Sequence, residues 1–349
     1  MSKAVTIKDV AHEAGVSIAT VSFVLNKRSG HSISQRVQRL VIKAVQKIEY
    51  HPNASAAGLA RKHTHNVAIV FYREENLISN QFYSFVIQGA IKQAIESEYN
   101  LLFSYIDSAY RDFRDLPKVV REKNAEGALF IQRIHPRLIS DIQARGMPVV
   151  AIDHYPPLKT VHSLQIDNHR GGYLATEHLI GLGHRKIAFL QAAADRPSIA
   201  QRARGFRAAL ADHGLPAAAG QDIIDCKSLT FEGGFEKARS VLRRKRPPTA
   251  LFCANDELAA GVLRAAYVLG LNVPERLSVV GFDDITMSSY TDPPLTTVSV
   301  DKEDLGRRAM ARLLELVEGN GAGVKHEIAP VELMVRGSTR APAPVVKTF

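Results

Sequence analysis

The apolar positions change their period along the chain, and the change divides it. Residues 6–50 keep a helical period in three short stretches. Thr6-x-x-Asp9 opens the first as a capping-box start, with Val10, Ala11 and Ala14 on its apolar side. Ser17 is a natural N-cap for the second, where Val21, Val24 and Leu25 recur. A third stretch, from about Ser34, carries Val37, Leu40, Val41, Ala44, Val45 and Ile48 on one stripe. From Asn66 onward the pattern alternates instead. Short β-rich apolar runs at 67–72, 101–106, 128–131, 149–153, 187–190, 250–254 and 277–282 are separated by helical stretches such as 83–98, 172–182, 203–213, 234–244 and 257–269. Such alternation builds parallel sheets from βα units, and this many strands fits two doubly wound lobes better than one. Ligands of these folds sit at the carboxyl ends of the strands.

The first two helical stretches share a steric logic. Ala11, Gly15 four residues on and Val21 six further suit two helices crossing near a right angle. The crossing leaves room for no more than a methyl at Ala11, the turn needs a positive φ that Gly15 adopts without strain, and Val21 pins the second helix to the first. This is a helix-turn-helix, whose second helix, about 17–26, can enter a DNA major groove.

Charge supports that reading. The 349 residues are 46% apolar and 23% charged, with a net charge of +10. Residues 1–62 hold ten cations against three acids, which is +7 of that total. A small basic head on a nearly neutral body points to a polyanion, nucleic acid ahead of a membrane surface. Other classes fall away. No apolar run approaches the roughly 18 residues of a membrane span, and the N-terminus has no apolar export segment. Cys226 and Cys253 are far apart with no Cys-x-x-Cys, and His63-Thr64-His65 reads as a solvated pair in a basic linker, so no metal site is expected. There is no Gly-x-Gly-x-x-Gly after a strand, Walker loop, Gly-x-Ser-x-Gly elbow or His-Glu-x-x-His, and Gly319-x-Gly321-x-Gly323 reads as a loop. The expectation is a cytoplasmic, nucleoid-associated protein that is not an enzyme and carries no cofactor.

The head also carries a specific resemblance. Val5-Thr6-Ile7-Lys8-Asp9-Val10-Ala11, Ala14-Gly15-Val16-Ser17, Thr20-Val21-Ser22, Val24-Leu25-Asn26 and Tyr50-His51-Pro52-Asn53-Ala54 together resemble the lactose-repressor (LacI) family of bacterial transcriptional regulators. The similarity runs through the body to about residue 340, where Gly181-x-Gly183-His184-Arg185-Lys186, Ala254-Asn255-Asp256, Val280-Gly281-Phe282-Asp283-Asp284 and Pro294-Leu295-Thr296-Thr297-Val298 match motifs of the family core. The resemblance implies an α/β fold: an N-terminal all-α helix-turn-helix head plus a two-lobed periplasmic-binding-protein-like core with doubly wound parallel sheets. The implied divisions are 1–52 for the head, 53–65 for a hinge, 66–166 plus 298–327 for one lobe, and 167–297 plus 328–349 for the other. The chain would cross between lobes near Ile166, Val298 and Glu327.

The resemblance also implies the sites. Ile18, Ala19 and Phe23 would read bases, with Thr6, Ser17, Thr20, Ser22 and Asn26 as further DNA contacts. Many relatives carry a polar residue at the position of Phe23, so the operator preference cannot be transferred; the alternative for Phe23 is packing beneath the helix. Asn53, Ala56 and Leu59 belong to a segment that in the family becomes a minor-groove helix on operator DNA, Leu59 being the wedge. Gly58 lowers the helix propensity of that segment by roughly 1 kcal/mol relative to Ala.

In the interlobe cleft the implied effector contacts are Phe82, Tyr83, Asp153, Arg196, Arg202, Leu229, Asn255 and Asp283. Plainer roles exist for most: Asn255 or Asp256 as a helix cap, Asp283 or Asp284 in a turn, Arg196 as a surface charge, Phe82 and Tyr83 as core. The expected partners are a near-palindromic double-stranded operator, a second copy of the chain in a homodimer, and a small effector. A sugar suits the donor set, and a sugar acid or phosphate becomes the alternative if Arg196 reaches the cleft.

Overall fold

The computed structural model describes residues 5–25, 33–50, 63–73, 80–107, 110–132, 134–154, 158–192, 196–215, 223–321 and 323–342. It divides into two compact units, Met1–Thr64 and His65–Phe349.

The first unit holds helices α1 (Ile7–Ala14), α2 (Ile18–Leu25) and α3 (Gln35–Lys47). Asp9 Oδ2 accepts from the Thr6 backbone N–H at 2.8 Å and from its hydroxyl at 2.7 Å, fixing the start of α1. Gly15 ends α1 at φ +64°, and a Cβ there would meet nothing within 4 Å, so backbone conformation alone selects glycine. Val10, Ala11, Val21, Val41 and Ala44 form the core, flanked by Val24, Leu25, Val37, Val45 and Ile48. Leu40 departs from the expected stripe and is 43% exposed. Three helices of this length cover a narrow stripe only, and Leu40 lies at its margin.

The second unit contains two six-stranded sheets. The first is built from β1 (Asn66–Tyr72), β2 (Asn100–Ile106), β3 (Gly127–Ile131), β4 (Val149–Ile152), β5 (His162–Ile166) and the later β11 (His326–Ala329). Their order is β11-β5-β4-β3-β1-β2, and every pairing is parallel. Successive side chains point to opposite faces, and both faces are covered. Val67, Ile69, Leu129, Ile131, Val150 and Ile152 pack in one buried cluster; Ala68, Val70, Ala128, Phe130, Val149 and Ala151 pack in another. Helices α4 (Gln81–Glu96), α5 (Lys118–Arg121) and α6 (Pro136–Gln143) belong to this lobe.

The second sheet comprises β6 (Ile187–Gln191), β7 (Ile223–Asp225), β8 (Ala250–Cys253), β9 (Ser278–Phe282), β10 (Thr296–Ser299) and β12 (Glu332–Met334), in the order β12-β10-β9-β8-β6-β7. Only the edge strand β12 runs antiparallel. Helices α7 (Asn168–Gly181), α8 (Pro197–Asp212), α9 (Phe231–Leu242) and α10 (Asp256–Val268) flank it, and α11 (Lys302–Val317) returns to the first lobe, where Leu305, Ala309, Met310, Leu313 and Leu314 enter the core.

The chain passes between the sheets after Ile166, between Ser299 and Lys302, and between Ala329 and Glu332. Two of these passages lie a few residues beyond the expected ones. Val298 pairs with Phe282 and Leu333 inside the second sheet, and Glu327 pairs with Leu164 inside the first. Both strands continue their ladders to the last residue that finds a partner before they cross. Among the described residues, no helix is long and apolar enough to cross a membrane.

Candidate effector cleft and nucleic-acid interface

In the head, Ser17 precedes α2 and its Oγ accepts from the Thr20 N–H at 3.1 Å while lying 2.9 Å from Thr20 Oγ1. That bond fixes the first turn and leaves Ile18, 44% exposed, and Ala19 facing solvent. Ser22 and Phe23 stand four residues after Ile18 and Ala19, so these four share one face of α2. Thr20, Ser22 and Phe23 are half-buried, and Thr6 is exposed at the start of α1. Phe23 therefore combines partial packing with partial exposure. Asn26, Asn53, Ala56, Gly58 and Leu59 lie outside the described residues. Lys8, Arg36, Arg39, Lys43 and Lys47 are exposed, and Lys47 pairs with Glu13 at 2.7 Å, which holds that carboxyl below its ordinary range.

Between the lobes, strand ends present the polar residues. Asp153 follows β4 at φ +55° and Asp283 follows β9 at φ +103°, left-handed backbone that few side chains adopt. Asp153 Oδ2 accepts the Tyr83 hydroxyl at 3.0 Å from α4, whereas its Oδ1 is buried and has no hydrogen-bond partner among the described residues. Burial pushes the Asp153 carboxyl up to about 6; the Arg202 charge, the Tyr83 bond and the Arg196 charge oppose that rise, and Asp283 adds to it. Burial also raises the Tyr83 hydroxyl, with the charges of Asp153 and Asp283 adding to it. Residues of both lobes thus act on one another across the cleft.

Arg202 is held from every side. Its Nε donates to Asn168 Oδ1 at 2.7 Å, Nη1 donates to the Ala254 carbonyl, and Nη2 meets Asp283 Oδ1 at 3.3 Å. The guanidinium lies 3.5 Å from the Phe282 ring centroid. Close packing of α7 on α8 brings these groups together, since a Cβ on Gly172 would lie 2.2 Å from the Arg202 carbonyl oxygen. Burial raises the Asp283 carboxyl despite Arg202 and Lys302 pulling it down.

The remaining expected contacts divide. Asn255 does cap α10, its Oδ1 accepting from the Leu258 N–H at 3.1 Å, and its Nδ2 donates to the Leu229 carbonyl at 3.0 Å. Leu229 packs against the second lobe's core. Phe82 is buried at 4% in the first lobe's core, edge-on to Tyr83, which is its plainer role. Arg196 is exposed just before α8, and only its charge is felt at Asp153. The sequence did not point to Asn168, Phe282 or Lys302, nor to Gln132, whose side chain hydrogen-bonds the Tyr83 hydroxyl. Asn168 is 1% exposed at the first crossing, as the first residue of α7, and no local pattern signals it. Among the described residues no group of three or more His, Cys, Asp or Glu could hold a metal.

Residues 6–53 match the model of bacterial regulatory proteins of the lacI family, and residues 176–339 match a periplasmic binding protein-like domain. The HTH-type transcriptional regulator DegA of Bacillus subtilis is 32% identical over 338 residues, 96% of this chain and 98% of DegA. The HTH-type transcriptional repressor PurR of Photobacterium profundum is also 32% identical over 338 residues, with the same coverage. Among solved structures, a lac repressor dimer bound to operator and the anti-inducer ONPF superposes with a TM-score of 0.84 at 27% identity, covering 97% of this chain and 100% of that one. A complex of the transcriptional regulator CelR with cellobiose superposes at 0.68 and 27% identity, covering 96% and 99%. With such relatives matched over nearly their whole length, the chain belongs to the lacI family of bacterial regulatory proteins.

Proposed function

We propose that this protein represses transcription by binding a near-palindromic operator as a homodimer, and that a neutral, hydroxyl-rich small molecule in the interlobe cleft controls its grip on DNA. Ser17, Ile18, Ala19, Thr20, Ser22 and Phe23 present the reading face, with Thr6 and, by the resemblance, Asn26 as further DNA contacts. By the same resemblance, Asn53, Ala56 and Leu59 are assigned the minor-groove contact. The exposed cations of α1 and α3 supply phosphate attraction without sequence information.

The observation that carries the effector class is the contrast between Asp153 and Arg202. Asp153 offers a buried acceptor, Oδ1, with no hydrogen-bond partner among the described residues. Arg202 is already engaged by Asn168, Ala254 and Asp283. Among the described residues the cleft thus offers a free buried acceptor beside a guanidinium whose three nitrogens are each already bonded, and a ligand hydroxyl satisfies that acceptor better than a carboxylate or phosphate does. Tyr83, Asn255 and Asp283 complete the polar set, and Leu229 gives an aliphatic wall. Arg196, the cation that would favour a sugar acid or phosphate, is exposed. The cellobiose-bound relative agrees with a neutral sugar.

Gel shifts of the full chain on its own upstream DNA test both parts. Binding should weaken steeply with salt, and a panel of neutral sugars and sugar acids should give a response confined to the neutral members. Failure to shift any fragment at low salt would remove the regulator reading. A response to sugar acids alone would remove the effector class.

A further inference from the structure

The turn after β9 is a place where the second lobe touches the first, and one ammonium group holds its backbone. Lys302 is the first residue of α11, and its Nζ donates to the carbonyls of Asp283 at 2.7 Å, Asp284 at 3.0 Å and Val300 at 3.3 Å. All three of its protons are used. Asp283 and Asp284 both have positive φ, at 103° and 49°, a conformation that non-glycine residues keep only when their surroundings impose it. Next along the chain, Ile285 packs into the first lobe's core cluster, and its N–H donates to Asp256 Oδ2 at 2.9 Å.

The base of this clasp is rigid with the first lobe. A Cβ on Gly306 of α11 would lie 1.8 Å from the Val86 carbonyl oxygen of α4, and one on Gly89 would lie 1.9 Å from the Glu303 oxygen, so the two helix backbones touch. The other end is the cleft, because the Asp283 side chain faces Arg202. Beside the clasp, residues of both lobes line a recess. A cavity of about 260 Å³ opens there, lined by Phe85, Ile285, Thr286, Ser289, Lys302 and Arg336 among others.

We propose that Lys302 is a positioning residue that couples occupancy of the cleft to the relative orientation of the lobes, by tying the backbone of Asp283 and Asp284 to the first turn of α11. A ligand that draws on the Asp283 side chain shifts the turn, and the three-carbonyl clasp passes that shift to the first lobe across the adjacent cavity. Two sites linked through one element share a coupling free energy, which a variant can remove without removing either site. This inference rests on the function proposed above.

The test measures operator affinity of the full chain with and without D-ribose, D-galactose and cellobiose, and measures affinity for the active sugar by calorimetry. The unmodified protein should show a shift of about 5–150-fold with at least one of them. Lys302→Met keeps the aliphatic stem and loses the donors. It should bind the same sugar as well as before, while the shift in operator affinity falls below about twofold. Lys302→Gln, which keeps two donors, should retain an intermediate response and serves where the Met variant folds poorly. Glu303→Gln, one residue on, removes the 2.6 Å pair with Lys92 and should respond fully. A full response from Lys302→Met overturns the proposal, and so does a loss of sugar affinity that accounts for the lost response. If the unmodified protein binds DNA yet responds to none of these sugars, the effector reading fails and the coupling role fails with it.

Discussion

Arg202 Nη2 and Asp283 Oδ1 meet at 3.3 Å with side chains only 6% and 12% exposed, and the Phe282 ring lies against the same guanidinium. A buried pair of this kind adds little net stability, but removing one partner strands the other in a medium that cannot solvate it. Arg202→Met should therefore cost about 3–5 kcal/mol in urea denaturation at neutral pH. Adding Asp283→Asn should recover part of that loss, because the stranded charge is then gone. A single-variant loss no larger than that of an exposed ion pair would show that water reaches the site.

Asp153 gives a pH-dependent expectation. Its ordinary value is 3.8 and its folded value is pushed up to about 6, chiefly by burial. A carboxyl raised on folding contributes stability below its unfolded value and loses that contribution as pH climbs through the folded one. Ionised Asp153 thus carries a penalty of about 3 kcal/mol at pH 7.5, at roughly 1.4 kcal/mol per unit. Asp153→Asn, which tolerates positive φ and still accepts from Tyr83, should be more stable than the unmodified chain at pH 7.5 and equal to it near pH 3. It should also bind the effector more weakly. In the unmodified protein a hydroxyl donor favours the ionised carboxylate, so effector affinity should fall between pH 7.5 and pH 5. An affinity independent of pH over that span would take Asp153 out of the ligand's reach.

How far the sequence could be read followed from how each element meets its hydrogen-bonding needs. Strands such as β1 and β3 are apolar on both faces and were legible as continuous runs. β5 is also fully buried, yet His162, Ser163 and Gln165 interrupt its apolar pattern, and only the fold reveals their partners: the Lys325 N–H, His326 and the His154 carbonyl. The edge strands β11 and β12 are short and half-exposed, so no burial pattern marks them. Asp153, Asn255 and Asp283 could be found because a polar residue ending an apolar strand is a local signal. Asn168 and Lys302 could not, since each acts on a residue 34 or 19 positions away, at crossings where local pattern is silent.

The His162 imidazole should hold its neutral form below its ordinary value. Arg312 Nε at 3.2 Å and the Lys325 N–H at 3.0 Å both donate to its Nδ1, which leaves the proton on Nε2. Burial lowers its pKa first, and the charges of Arg312 and Lys325 add to that. A histidine depressed on folding contributes stability above its unfolded value of 6.5 and loses it as pH falls. Ring nitrogen shifts should report the Nε2–H tautomer at pH 6, where an exposed histidine is largely protonated. His162→Asn should flatten the stability profile below pH 6.5. A protonated His162 at pH 6 would contradict the hydrogen-bond assignment.

The head should separate affinity from specificity. Lys43 is an exposed cation on α3, and Ile18 is an exposed apolar residue in the first turn of α2. A lysine on a phosphate acts alike on every sequence, releasing counterions. Lys43→Ala should thus weaken operator and unrelated DNA by the same factor, and lower the slope of log affinity against log salt by about 0.9. Ile18 offers only apolar contact, for which thymine methyls in the major groove are the natural partner. Ile18→Ala should keep the salt slope and narrow the gap between the operator and a copy in which half-site thymines become cytosines. Titrations of both variants against both duplexes at several salt concentrations read the two effects separately. If Ile18→Ala weakened both duplexes equally, Ile18 would be a packing residue, and the reading face would have to lie further along α2, toward Ser22 and Phe23.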